Sequence, residues 1–161
     1  MQTAIIVLGT ALLVLVAYAD VRTRRIPNEL IVGLLALATL RVALYGDPKS
    51  ALYTLVAGGT LFVAAFLLFW RGLVGGGDVK LIVATSFLIG YHDVLSFLFV
   101  MSLSGGLMAV AILAGDKIRL RRAAAPVAES RETQVRLTVP YGVAIAVAGI
   151  FTLFIRSFVP G

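Results

Sequence analysis

The chain has 161 residues, of which 60% are hydrophobic and only 14% are charged, and its mean hydropathy is +1.03. Soluble domains average about 45–50% apolar and about 25% charged residues, so this composition is typical of an integral membrane protein. The formal net charge of +6 therefore bears on membrane orientation and anionic lipid, and no nucleic-acid partner is expected. Because the sequence has no cysteine, disulfides, zinc–thiolate sites and thiol nucleophiles are excluded.

Six apolar stretches along the chain are candidates for membrane-spanning helices. A span needs about 20 apolar residues, each contributing about 1.5 Å. In chain order the stretches are residues 2–19, 30–45, 51–70, 80–91, 94–114 and 139–159. The fourth is the shortest, with about 12 residues or roughly 18 Å of helix. We therefore predict one membrane-embedded domain over residues 1–161, an all-α bundle of about six transmembrane helices.

The basic residues collect in alternate connections between these stretches. Eleven of the 14 lie after the first, third and fifth stretches: Arg22, Arg24, Arg25, Arg71, Lys80, Lys117, Arg119, Arg121, Arg122, Arg131 and Arg136. The positive-inside rule makes that face cytoplasmic, which places both termini outside. Residues 115–138 then form a cytoplasmic basic loop. Its basic half either rests on anionic lipid headgroups or, more simply, only fixes the topology.

Two of the eight acidic residues occupy unusual positions. The other six have ordinary roles in loops, as helix caps or at a helix start: Glu29, Asp47, Asp93, Asp116, Glu129 and Glu132. Asp20 ends the first stretch and Asp78 precedes the fourth, so both are expected at a similar depth on the cytoplasmic side. A carboxylate at the membrane edge is costly and usually functional, with a partner nearby. Each aspartate is the obvious partner of the other.

A pair of carboxyl groups can perform acid–base chemistry without a metal or a cofactor. Two carboxyls that share one site do not both ionise comfortably, which leaves one as acid and one as base. Such a pair can activate water and polarise a peptide carbonyl, as an aspartic peptidase does. Proton- or cation-coupled transporters also use intramembrane carboxylates, so a small transporter subunit is the alternative function. A non-catalytic assembly scaffold is a third possibility.

Three glycines, Gly75, Gly76 and Gly77, stand directly before Asp78. Without side chains they are expected to let a substrate backbone approach Asp78 and to adopt backbone angles that other residues avoid. Neither a P-loop pattern nor a dinucleotide-binding glycine pattern is present. Lys80 either helps to keep one carboxylate ionised or serves as a topology charge.

Three segments of the chain resemble motifs of the type IV prepilin peptidases. Residues 20–28, DVRTRRIPN, resemble the family's first motif, an aspartate followed by basic residues and IPN. Residues 75–80, GGGDVK, match its second motif, GxGDxK, and residues 140–145, PYGVAI, resemble its PYGxAI segment. The three motifs occur in the family's order and extend from the first predicted span to the last.

The resemblance implies an aspartic endopeptidase of the prokaryotic inner membrane. Its substrates would be prepilins or pseudopilins, cut on the cytoplasmic side of their hydrophobic helix, and its other partners would be membrane lipids. Asp20 and Asp78 are expected to be the catalytic pair. Gly75, Gly77 and Lys80 carry over as motif positions, with no metal and no cofactor implied.

Further motif residues are candidates for supporting roles. Arg24 and Arg25 are expected either to meet acidic substrate residues beyond the scissile bond or simply to fix topology. Pro27 and Asn28 complete the first motif, and Pro27 is sufficiently explained as a residue that ends helical structure. Tyr141 either donates a hydrogen bond to an aspartate or anchors the chain at the membrane interface.

The sequence departs from the larger, bifunctional members of that family. Those members carry a cytoplasmic insert with paired CxxC motifs before the first aspartate and also N-methylate the mature pilin. This chain has no cysteine and no such insert before Asp20, so methyltransferase activity is not expected. Its short form resembles the peptidases of tight-adherence (Flp-type) pilus systems. Archaeal preflagellin peptidases share the GxGD core and remain an alternative.

Overall fold

The computed structural model describes residues 2–45, 47–122 and 141–158. Within these ranges the chain forms six α-helices, one short 3-10 turn and no strand. The helices are α1 (Gln2–Thr23), α2 (Asn28–Tyr45), α3 (Pro48–Trp70), α4 (Gly76–Ile89), α5 (Val94–Arg122) and α6 (Tyr141–Phe158), and the turn, Tyr91–Asp93, precedes α5. The predicted all-α bundle of about six helices with a short fourth member is confirmed.

The distribution of apolar side chains is that of a membrane protein. Among the described residues, three segments are long and apolar enough to cross a bilayer: Thr3–Thr23, Pro48–Trp70 and Tyr91–Gly115. Large apolar side chains stand on the outer surface, with Trp70 and Leu95 79% and 80% exposed, while Thr85 and Ser86 are buried inside the bundle. Such a surface is stable in contact with lipid, whereas its exposure to water would cost free energy.

The short helix α4 lies at the centre of the bundle. It packs against α2, α3 and α6, while α1 packs between α2 and α6, and α5 packs on α6. Eight of the 14 residues of α4 are buried: Val79, Leu81, Ile82, Ala84, Thr85, Ser86, Leu88 and Ile89. A helix that is apolar on nearly every side must be surrounded by other helices. Burial of α4 fixes the surroundings of Asp78, which lies in its first turn.

Three helix ends extend four or more residues beyond the predicted spans. The first helix continues past residue 19 to Thr23, so Asp20 lies within it, and α4 begins at Gly76 rather than at residue 80. The fifth helix runs on to Arg122, so the first eight residues of the predicted loop 115–138 are helical, and the remainder lies outside the described residues. Hydropathy marks where lipid begins, whereas leucine, lysine and arginine are good helix formers beyond that point.

Local sequence accounts for the turns that join the helices at the predicted cytoplasmic end. Helix α1 ends because Arg24 adopts the left-handed conformation (φ 51°), with its backbone N–H donating to the Asp20 carbonyl at 2.9 Å. This is the αL type of helix ending, which glycine usually provides. Pro27 then separates α1 from α2.

Candidate active site

Asp20 is buried in the last turns of α1 and is only 6% exposed. Its carboxylate faces the first turn of α6, where the backbone N–H groups of Val143 and Gly142 interact with it. The free N–H groups and the dipole of a helix N-terminus favour a negative charge at this position. Within the described part of the chain, the Oδ2 atom of Asp20 is buried and has no hydrogen-bond partner. A buried, unpartnered carboxylate oxygen is unusual outside functional sites.

Gly142 is the residue that permits this arrangement. A Cβ atom at position 142 would lie 2.7 Å from Oδ2 of Asp20 and 2.8 Å from its Cγ. Side chains cannot approach this closely, so any other residue would displace the Asp20 carboxyl from the helix end. The sequence signal for this role is the PYGVAI resemblance, since Gly142 lies in that segment, but the resemblance alone does not indicate what Gly142 contacts.

Asp78 occupies the third position of α4, after the capping residue Gly75. Its carboxylate accepts a hydrogen bond from the backbone N–H of Gly75, one half of a capping box. A Cβ atom on Gly75 would lie 2.9 Å from Oδ2 of Asp78, so this glycine makes room for the aspartate itself. Both catalytic candidates are therefore seated at helix N-termini, Asp20 at that of α6 and Asp78 at that of α4.

One expectation about the three glycines is wrong. Gly75 has ordinary extended angles (φ −72°, ψ 143°), and Gly76 and Gly77 are helical. Among the described glycines, only Gly72 and Gly90 have positive φ. The cluster therefore allows neighbouring atoms to approach the backbone closely at the start of α4. It does not provide unusual backbone angles. That it also admits a substrate backbone stays a prediction.

The two carboxyl groups come together at one end of the bundle. They lie close enough for the charge of Asp20 to act on Asp78. The loop after α1 reaches the same place, since a Cβ on Gly77 would lie 3.7 Å from Ile26. The segments that carry the three motifs thus assemble into one site, although Asp20 and Asp78 are far apart in sequence. Among the described residues, no cluster of three or more His, Asp or Glu side chains could hold a metal ion.

Lys80 and Asn28 form a direct link between the first and second motifs. The Lys80 Nζ atom donates a hydrogen bond to the Asn28 side-chain oxygen at 3.3 Å. Asn28 is the first residue of α2, and Lys80 lies in the second turn of α4. The bond ties the start of α2 to the start of α4 beside Asp78.

The remaining candidate residues surround the pair without joining it. Arg24 lies close enough to Asp20 to act on it electrostatically, and Arg25 is exposed. Pro27 is partly buried in the α1–α2 turn. Tyr141 is 45% exposed and packs beside Gly105. In the described part of the chain, it makes no hydrogen bond to Asp20 or Asp78. Roles for these four in catalysis or substrate binding stay predictions.

Comparison with known proteins agrees with this site. Residues 7–110, which include both aspartates, match the model of the type IV leader peptidase family. A prepilin leader peptidase/N-methyltransferase of Bacillus subtilis (strain 168) is 35% identical over 107 residues. The matched region covers 65% of this chain but only 43% of that relative. No solved structure matches. The chain belongs to the type IV leader peptidase family.

Proposed function

We propose that the chain is a membrane aspartic endopeptidase that removes the leader peptides of prepilins or pseudopilins. One observation supports this proposal more strongly than the others. Two carboxylates from two family motifs lie together at one end of the bundle, each at a helix N-terminus, and one has a buried oxygen without a partner. Family membership and the similarity to a prepilin leader peptidase support the same activity.

The reaction is a water-mediated hydrolysis at the aspartate pair. The ionised carboxyl takes a proton from water, whose oxygen attacks the scissile carbonyl carbon, while the protonated carboxyl donates a hydrogen bond to the carbonyl oxygen. The tetrahedral intermediate then collapses, the C–N bond breaks, and the leaving amine takes up a proton from a carboxyl group. No step requires a metal, a cofactor or a covalent intermediate.

The substrate meets the site at the cytoplasmic edge of the inner membrane, with both chain termini on the outer side. Charge distribution supports this orientation, because most basic residues lie at the end of the bundle that carries Asp20 and Asp78. The apolar helix of the substrate binds from the lipid, and its residues beyond the cleavage point come near Arg24 and Arg25. The proposed substrates are prepilins of the Flp type.

The test is cleavage of a purified Flp-type prepilin in proteoliposomes. Asp20→Asn and Asp78→Asn should each lower the rate by at least about 100-fold, because removal of a positioned acid or base costs that much. Glu29→Gln is the matched control, since Glu29 is an exposed carboxylate in the first turn of α2, and it should leave the rate unchanged. If either aspartate variant cleaved at the wild-type rate, the catalytic pair would be wrong.

The same vesicles separate the peptidase from the alternative functions. A transporter subunit would carry protons or cations across the membrane in the absence of prepilin, and this flux would depend on the same two aspartates. A scaffold would do neither. Parallel reactions with a preflagellin-type substrate distinguish the archaeal from the Flp-type specificity. Cleavage without ion flux supports the peptidase, whereas flux without cleavage contradicts it.

A further inference from the structure

The opposite end of α4 contains polar contacts that the aspartate pair does not explain. With 14 residues, α4 is about 21 Å long, shorter than the roughly 30 Å hydrocarbon core of a bilayer. The last carbonyls of any helix lack intrahelical partners, and within a membrane no water reaches them. A short, central helix therefore needs donors from neighbouring helices at its C-terminal end.

Two arginines supply these donors. Arg41 of α2 donates a hydrogen bond to the Leu88 carbonyl, and Arg156 of α6 donates one to the Ile89 carbonyl. The two acceptors are consecutive residues at the end of α4, where the helix dipole also favours positive charge. Arg156 makes a second contact, with the Asp93 carboxylate at 3.4 Å.

The backbone at the end of α4 is shaped to receive Arg41. Gly90 has a φ of +87°, which L-residues rarely adopt. A Cβ atom on Gly90 would lie 2.9 Å and 3.1 Å from the two terminal nitrogens of Arg41. Both the conformation and the space therefore require glycine here, which is an observation independent of the hydrogen bonds themselves.

The arginines lie on α2 and α6, and the opposite ends of these two helices contact the active-site end of the bundle. Helix α2 meets α4 through Asn28 and Lys80 at one end and through Arg41 and the Leu88 carbonyl at the other. Helix α6 receives Asp20 at its first turn, and its last turn contributes Arg156. Helices α2 and α4 are thus tied at both ends, and α6 adds a second contact at the C-terminal end of α4, which opposes sliding of α4 along its neighbours.

We propose that Arg41 and Arg156 are positioning residues that hold α4 by its C-terminus and so set the position of Asp78 relative to Asp20. The carbonyls that the two arginines bind lie about 11 residues along α4 from Asp78, or roughly 16 Å. Neither arginine contacts Asp20 or Asp78. Their effect on cleavage rests on the proposed peptidase function, whereas their effect on the Asp20–Asp78 separation does not.

Kinetics of prepilin cleavage give the first test. Arg41→Gln should lower kcat by about 10- to 100-fold, because small misplacements of reacting groups have effects of that size, and should leave KM within about twofold. Arg41→Lys keeps the charge and one donor, and it should restore a substantial part of kcat. Lys49→Gln is the control, because it removes an exposed charge at the start of α3 for which the structure gives no hydrogen bond or ion pair with α4.

Cross-linking gives a second test that needs no substrate. The chain has no cysteine, so Asp20→Cys combined with Asp78→Cys provides a unique thiol pair. The two thiols are treated with bifunctional reagents of graded length, and the yield of cross-linked protein shows which spacer length links them best. Adding Arg41→Gln should change the optimal spacer or broaden its distribution, while adding Lys49→Gln should not.

The outcomes separate the two proposals. An unchanged spacer profile and an unchanged kcat in folded Arg41→Gln protein would overturn the positioning role. If Arg41→Gln does not fold, the same two measurements on Arg156→Gln decide the question, because Arg156 makes the parallel contact to the end of α4. A changed spacer profile, together with a failure of the protein with its native aspartates to cleave prepilin, would support the positioning role and count against the peptidase function alone.

Discussion

The carboxylate of Asp20 occupies the space that a side chain on Gly142 would fill. A Cβ atom there would lie 2.7 Å from Oδ2 and 3.0 Å from the Cβ of Asp20 itself. This contact joins the end of α1 to the start of α6 and explains the glycine of the PYGVAI segment by simple exclusion. The two neighbouring N–H groups hold the carboxylate within electrostatic reach of Asp78.

Replacement of Gly142 by alanine should therefore reduce activity more than stability. The methyl group has no room unless the Asp20 carboxyl moves away, and we expect the cleavage rate to fall by about 100-fold. Gly106→Ala is a matched control, because a Cβ at Gly106 meets nothing within 4 Å. Both rates are measured in proteoliposomes, with thermal unfolding in detergent as the check on folding. Wild-type cleavage by Gly142→Ala protein would show that Asp20 is not held in this way.

Hydropathy is sufficient to predict the helices, and the alternation of the predicted spans is sufficient to place Asp20 and Asp78 at the same end of the bundle; that this end is cytoplasmic stays a prediction from loop charge. Both signals are local, since a run of apolar residues or a cluster of arginines can be read without knowing its neighbours. Helix ends were predicted less well. The predicted spans put Asp20 at the end of the first stretch and Asp78 just before the fourth, whereas the structure puts both aspartates inside helices.

Contacts between distant parts of the chain could not be predicted from either signal. Arg41 and its acceptor Leu88 are separated by 47 residues, and Arg156 and Ile89 by 67. In sequence, Arg41 and Arg156 look like isolated charges near membrane boundaries. Only the packing of α2 and α6 around the short α4 reveals that both meet carbonyls that lipid cannot satisfy.

The packing of α3 against α4 gives a prediction about stability. A Cβ on Gly58 would lie 2.7 Å from the Phe87 ring, while one on Gly59 would meet nothing within 4 Å. Gly58→Ala should lower the free energy of unfolding by about 1 kcal/mol, because overpacking a filled interface costs at least that much. The cost stays near the lower limit because Phe87 borders a cavity between α2 and α3.

Gly59→Ala is the matched comparison on the same helix. It should raise the free energy of unfolding by about 0.5 kcal/mol, since alanine is the better helix former where no neighbour interferes. Denaturant-induced unfolding in detergent measures both variants. Equal shifts of the same sign would show that Gly58 does not set the distance between α3 and α4.

The pH dependence of cleavage tests whether the two carboxyls share one catalytic proton. The mechanism needs one carboxyl ionised and the other protonated, so activity should fall at low pH, where both are protonated, and at high pH, where both are ionised. The measurement is kcat/KM for one prepilin between about pH 4 and pH 9 in proteoliposomes. A flat profile over this range would contradict the shared-proton mechanism.

The hydrogen bond between Lys80 and Asn28 separates two possible roles of the lysine. If Lys80 acts as a link between α2 and α4, Lys80→Gln and Asn28→Ala should lower kcat by similar factors of about 2 to 5, as expected for the loss of one exposed bond. The double variant should then be no worse than either single variant, since residues in direct contact are not additive.

If Lys80 instead keeps one carboxylate ionised, its charge matters rather than its partner. Lys80→Gln would then displace the pH profile, whereas Asn28→Ala would leave that profile in place. We expect the first pattern, because Lys80 is exposed and its described partner is an amide rather than an aspartate. Additive losses in the double variant, together with a displaced profile for Lys80→Gln alone, would assign the lysine to the electrostatics of the aspartate pair.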